Sequence, residues 1–209
     1  MKLYIKIINM KNLRKKNIIF KKLEKSIESH ELSESNLDWF LTDLKINKSD
    51  FYSMFPKKIN SLCFFYYNKV YFTSQSKVKL KVLKENRISK KTTILLLEFI
   101  KNFSKKQNLS IFFLNYALLK PLFLSKIVYR ISSNIWYDIG DSSTDLNYYS
   151  KRLILYNIIR NSLFYWRKSQ NLEKTLTFSE RQIAFFGKLG KLKYNTKKYV
   201  KGMFCFRTT

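Results

Sequence analysis

The acids of this chain gather most tightly at Asp138, Asp141 and Asp145, and the cations Lys151 and Arg152 follow them. Carboxylates in that pattern can hold a cation, cap a helix start, or pair with the cations downstream, and the last two are the commoner uses at a helix start. Tyr148 and Arg152 stand four residues apart, so a helix places them on one face. An aromatic body beside a cation suits an amphiphile, and Trp136 and Tyr137 lie just before the intervening loop. Reaction chemistry has little else to draw on. The one histidine, His30, has Ile27 three residues before it, so no Glu-x-x-His pair can hold iron or zinc and no histidine triad can form. His30 is expected near the end of the first helix, where its cation meets the helix dipole. Cys63 and Cys205 are too few for a disulfide framework or a zinc cluster and read as small apolar packers in a reducing compartment. No Gly-rich phosphate loop is present. A protein without catalysis, cofactor or metal is expected.

Helices must position these side chains. Apolar residues are 45% of 209, enough to bury a core, while Gly 4 and Pro 2 leave too few turn formers for an all-β fold. Residues 1–16 hold cations and no acid and read as a basic arm with little order. Ile18, Ile19, Leu23 and Ile27 recur at helical spacing and form the first helix. Leu37, Phe40, Leu41 and Leu44 form the second, capped by Ser33 or Ser35, and Ser49 opens a short third that ends at Phe55-Pro56. These three make a unit over 17–57. Over 58–190 the chain reads as a larger helical body. It begins with a helix from near Lys58 toward Arg87, followed by Thr92–Phe103 and Leu109–Leu119, and then by one that Pro121 starts or kinks. Gly140 interrupts that helix, and Asp141 to Asp145 supply cap oxygens for the next, from Thr144 to Lys168, with a last one from Asn171 to Lys188. The helices over 92–103 and 109–137 carry more large apolar residues than one covering face needs, which fits an apolar cavity, a dimer face or an ordinary core.

Lys+Arg 41 against Asp+Glu 14 gives +27, a charge that points to nucleic acid or anionic lipid. Only eight of those cations are Arg, and the chain is crowded with Lys, Asn, Ile, Phe and Tyr, the bias of an A+T-rich genome. Placement therefore carries more than number. In the tail, 191–209, no acid follows Glu180, and Leu192, Tyr199, Val200 and Met203 share one helical face with lysines, Lys193 among them, on the rest. Such a segment either lies in a membrane interface, with these five residues as its contacts, or is a frayed tail of biased composition. No apolar run reaches the roughly 18–20 residues of a spanning helix, and the start shows neither a signal h-region nor an Arg-rich transit peptide. A soluble or peripheral protein is expected.

Two resemblances sharpen this. The second and third helices, with Phe55-Pro56-Lys57-Lys58 and Leu62 behind them, have helix-turn-helix spacing and resemble the start of tetracycline-repressor-like regulators, although Lys45 stands where Gly would ease a left-handed residue. More specifically, Trp136-Tyr137, Gly140-Asp141, Ser143-Thr144-Asp145, Asn147, Tyr148-Tyr149 and Lys151-Arg152 follow one another as in the ninth Coq protein family, the lipid-binding accessory proteins of ubiquinone biosynthesis. Thr175, Phe178, Arg181 and Ile183 match that family's next helix, while Leu176 and Ser179 depart from its usual Trp and Leu. The resemblance implies an all-α, tetracycline-repressor-like homodimer with an N-terminal helix-turn-helix. It implies a non-catalytic binder that presents an isoprenoid ubiquinone intermediate to the demethoxyubiquinone hydroxylase. It carries the lipid contacts onto Tyr148 and Arg152, with Trp136 and Tyr137 beside them, and implies a place on the inner membrane of a mitochondrion, matrix side, or of an alphaproteobacterium-like cell, cytoplasmic side. DNA is not the expected partner; a repressor-class transcriptional regulator is the alternative.

Overall fold

The computed structural model describes residues 2–29 and 31–187, the side chains of 2–11 and of position 145 excepted. Among these residues the regular structure is helical throughout: α1 (Lys2–Glu28), α2 (Leu37–Asp43), α3 (Lys48–Met54), α4 (Lys58–Lys84), α5 (Ile88–Ser104), α6 (Gln107–Leu118), α7 (Pro121–Asp138), α8 (Asp145–Ser169) and α9 (172–187). The protein is an all-α bundle, as its scarcity of Gly and Pro requires.

The arm expected to have little order is helical from Lys2 and continuous with the first helix. Its residues are helix-tolerant and include neither Gly nor Pro, so nothing in the sequence stops the helix before Glu28. The caps also differ from expectation. Asn36, rather than Ser33 or Ser35, stands at the start of α2, and its side chain turns back to bond Ser33 N–H and the Glu31 carbonyl. Asn47, rather than Ser49, caps α3, accepting from the N–H of Ser49 at 2.9 Å and of Asp50 at 3.3 Å. Asn commits its oxygen forward or backward with equal ease, which sequence spacing does not reveal. Between them Lys45 has φ +50, the left-handed conformation that a lysine adopts at a cost. Pro121 is the first residue of α7 and starts that helix, where its missing N–H costs nothing.

The chain packs into two compact units, which divide the expected body of 58–190 between them. One comprises the described residues up to Phe72 together with Phe103–Ile127, and the other Thr73–Asn102 with the described residues from Val128 on. The first has a core of rings: Phe20 packs with Tyr66 and Phe113, whose own centroids are 4.8 Å apart, and Phe51, Phe55 and Phe103 are fully buried. Cys63 is buried among them, and its burial pushes the thiol well above the usual range, consistent with a packing role. The second unit buries aliphatic side chains, among them Leu95, Leu96, Ile131, Ile135, Ile159 and Leu163. It also buries the hydroxyls of Ser132, Ser162, Thr175 and Ser179.

Candidate functional site

The site is built where α7 ends and α8 begins, within the second unit. Gly140 has φ +79, which lets Asp141 N–H reach the Trp136 carbonyl at 3.0 Å and Gly140 N–H reach that of Tyr137 at 3.1 Å. This pair of bonds closes the C-terminus of α7 and needs a left-handed residue, which glycine supplies without strain. The turn delivers Asp141 inward rather than to the next helix as a cap. Its carboxylate, 2% exposed, accepts from Lys151 Nζ at 2.6 Å and from the Ser143 hydroxyl, and lies 3.7 Å from Arg152 NH1. Burial alone would raise the Asp141 carboxyl, but the bonds from Lys151 and Ser143 and the Lys151 charge outweigh it and hold it below the usual aspartate value. Thr144 occupies the cap position of α8, yet its side chain makes no capping bond there.

Two consecutive carbonyls of α8 are stapled to α7. Ser132 Oγ donates to the Arg152 carbonyl at 2.7 Å, and Trp136 Nε1 donates to that of Lys151 at 3.1 Å. Each cation then rests on a ring. The Arg152 guanidinium lies 3.3 Å from the centroid of Tyr148 and donates to its carbonyl at 3.0 Å, while Lys151 Nζ lies 5.3 Å from the centroid of Trp136. Arg152 is 4% exposed and its buried Nε has no hydrogen-bond partner among the described residues. The outcome is a Tyr148 ring held from beneath, with one face toward Arg152 and an edge contact to Tyr149 at 5.1 Å. Leu146, Tyr149 and Leu153 line an exposed apolar stripe on the same helix.

The four expected lipid residues do not converge on one cavity. Tyr148 and Arg152 stack on each other; Trp136 faces an apolar cavity of about 180 Å³ with Ile154, Ile158, Ile183 and Phe186; and Tyr137, 81% exposed, borders a separate hollow with Lys79, Leu83 and Asp138. Neighbours on a helix point about 100° apart, so Trp136-Tyr137 cannot serve one wall. The motif residues Gly140, Asp141, Ser143 and Lys151 do meet, whereas Asn147 is exposed. Sequence reasoning missed Ile154, Ile158 and Phe186 as cavity walls, although the spacing of Ile154 and Ile158 at i and i+4 carries that signal. In α9, Ser179 lies fully buried with its hydroxyl 2.7 Å from Ser162 Oγ, and Phe178 stacks on Tyr165 at 4.5 Å. A serine at position 179 thus lets α9 approach α8 closely and bond to it.

His30, Cys205 and the membrane contacts expected at Leu192, Lys193, Tyr199, Val200 and Met203 lie outside the described residues. Among the described residues no group of three or more acids, histidines or cysteines can hold a metal ion, and no helix is long and apolar enough to cross a membrane. The family model described as COQ9 matches residues 123–190, a span that contains the whole α7–α8 cluster and α9. No curated protein and no solved structure matches the chain.

Proposed function

We propose, from the match of residues 123–190 to the COQ9 family and the role in ubiquinone biosynthesis it implies, that the protein is a non-catalytic binder of an isoprenoid quinone intermediate. On this reading it presents that lipid to the demethoxyubiquinone hydroxylase, as a homodimer at a membrane surface. COQ9 is an accessory family of that pathway, so the hydroxylation is the partner's. The setting that fits is the inner membrane of a mitochondrion, matrix side, or the equivalent face of an alphaproteobacterium-like cell.

The observation that carries the reading is the Asp141 cluster. A buried ion group fixes Arg152 beneath Tyr148 and leaves that ring, with the exposed Leu146, Tyr149 and Leu153, on one helix. A half-exposed aromatic on a rigid mount, beside a run of exposed apolar side chains, is a surface that gains by covering a lipid tail. Arg152 acts as the mount. With its fork turned to Tyr148 and Asp141, it orients the ring in place of gripping a head group in solvent.

Duplex-DNA binding has less support. Over 37–54 the chain carries Asp38, Asp43 and Asp50 against Lys45 and Lys48. Asp50 stands in the first turn of α3, where a phosphate would be met. The test is native mass spectrometry of the purified protein with extraction of bound lipid. An isoprenoid quinone or precursor that is lost in Tyr148→Ala, with helicity unchanged, is the expected result. An apo protein that retards a duplex of defined sequence would replace this reading by the regulator.

A further inference from the structure

A cavity with a distinctive lining lies in the first unit, remote in sequence from the Asp141 cluster. It is a groove of about 710 Å³ to which the middle of α1, the α3–α4 junction, the first turns of α4 and the start of α7 contribute. That volume is in the range of small-molecule sites, roughly 300–1,000 Å³. Its floor is aromatic. Phe65 packs against Phe20 at 5.5 Å and Phe55 at 5.7 Å, and Phe64 and Phe123 are half-buried along it.

Its rim is cationic. Lys16, Lys57, Lys120 and Lys126 line it, and no acid does. Lys120 is held at 3.1 Å by Glu34 and bonded to Tyr116, so its charge is already answered. Lys57 and Lys126 are exposed, and Lys16 leans over the Phe55 ring with its ammonium 5.9 Å from the centroid. An aromatic floor excludes water along a chain, while lysines at the rim favour a negative head. A neutral isoprenoid would leave those charges without a counterpart.

We propose that this groove binds a single-chain anionic amphiphile, a long-chain carboxylate of the fatty-acid type, with its chain over Phe64, Phe65 and Phe123 and its head between Lys57 and Lys126. The assignment is independent of the quinone reading, because every residue it uses belongs to the first unit.

The experiment is calorimetric titration of the full chain with monomeric palmitate and, in parallel, with the neutral palmityl alcohol. Wild-type protein is expected to bind palmitate in equimolar amount and more tightly than the alcohol. The double variant Lys57→Glu/Lys126→Glu changes only exposed side chains. It is expected to weaken palmitate by on the order of tenfold, as for loss of a charge-assisted contact, and to leave the alcohol unchanged. Phe123→Ala is expected to weaken both ligands, and Tyr148→Ala neither. Palmitate bound equally by the double variant, or lost in Tyr148→Ala, overturns the proposal. So does affinity for phosphatidylglycerol-containing vesicles without affinity for monomeric palmitate, or a duplex DNA that binds through Lys57 and Lys126 where palmitate does not.

Discussion

The two units solve the same packing problem with different materials. The first is filled with rings, and its buried polar atoms are few: Tyr66 bonds Ser110, and the fully buried Tyr67 hydroxyl has no hydrogen-bond partner among the described residues. The second packs aliphatic side chains around hydroxyls and a charge group in which Asp141 and Arg152 are buried and Lys151 is partly exposed. Ring packing draws on area removed from water and is indifferent to pH, whereas a buried ion group is only as sound as its weakest protonation state. The segment that the COQ9 model matches lies almost wholly in the second unit, so the matched part also carries the pH-sensitive ion group. A buried charge group there fixes geometry more than it adds stability.

That contrast can be broken most forcefully at Asp141. Asp141→Asn leaves Arg152 buried without its counter-charge and is expected to destabilise the protein by roughly 3 kcal/mol, read as a lower urea midpoint. Hydrogen exchange should place the loosening in peptides of 128–169 and spare those of 12–72. Acid should do the same to the wild type. The Asp141 carboxyl is held below its ordinary value, so its contribution is complete above the unfolded value of about 4 and is lost as pH falls through the folded one. Faster exchange in the first unit before the second on acidification would reverse the comparison.

Smaller changes sharpen the other side. Tyr67→Phe removes a buried hydroxyl that makes no bond and keeps the ring that packs on Phe103 at 5.3 Å, so a gain of about 1 kcal/mol is expected by thermal or urea unfolding. Lys45→Gly relieves a left-handed lysine but adds unfolded-state freedom, for a net gain below about 1 kcal/mol. Loss of stability in that variant would mean that Lys45 makes a contact worth more than its backbone strain. Gly140, the matching turn of the second unit, has φ +79 and open space around its missing Cβ, so Gly140→Ala is a pure test of strain, expected to cost about 1 kcal/mol.

Much of this was legible in the residues. Helical periodicity located the helices apart from the first half of α1, because the 3.6-residue repeat of buried positions is a property of the chain itself. The left-handed demand at Lys45 followed from the resemblance to the repressor turn, and pairing with Lys151 and Arg152 stood beside capping as a use of the group Asp138, Asp141 and Asp145. The cap at Asn47 and the backward-turned Asn36 at the start of α2 were missed because Ser, Thr and Asn offer similar side-chain bonds, and local backbone geometry selects among them.

Sequence by itself determined the helical class and the motif within the segment that the COQ9 model matches. Tertiary structure alone decided that Asp141 turns inward, that Arg152 is a buried mount for Tyr148, and that Trp136 and Tyr137 border different hollows. It alone assembled lysines and phenylalanines from distant positions between 16 and 126 into one groove. The reason is that periodicity and residue type are encoded locally, while burial and the convergence of side chains far apart in the chain arise only when helices pack.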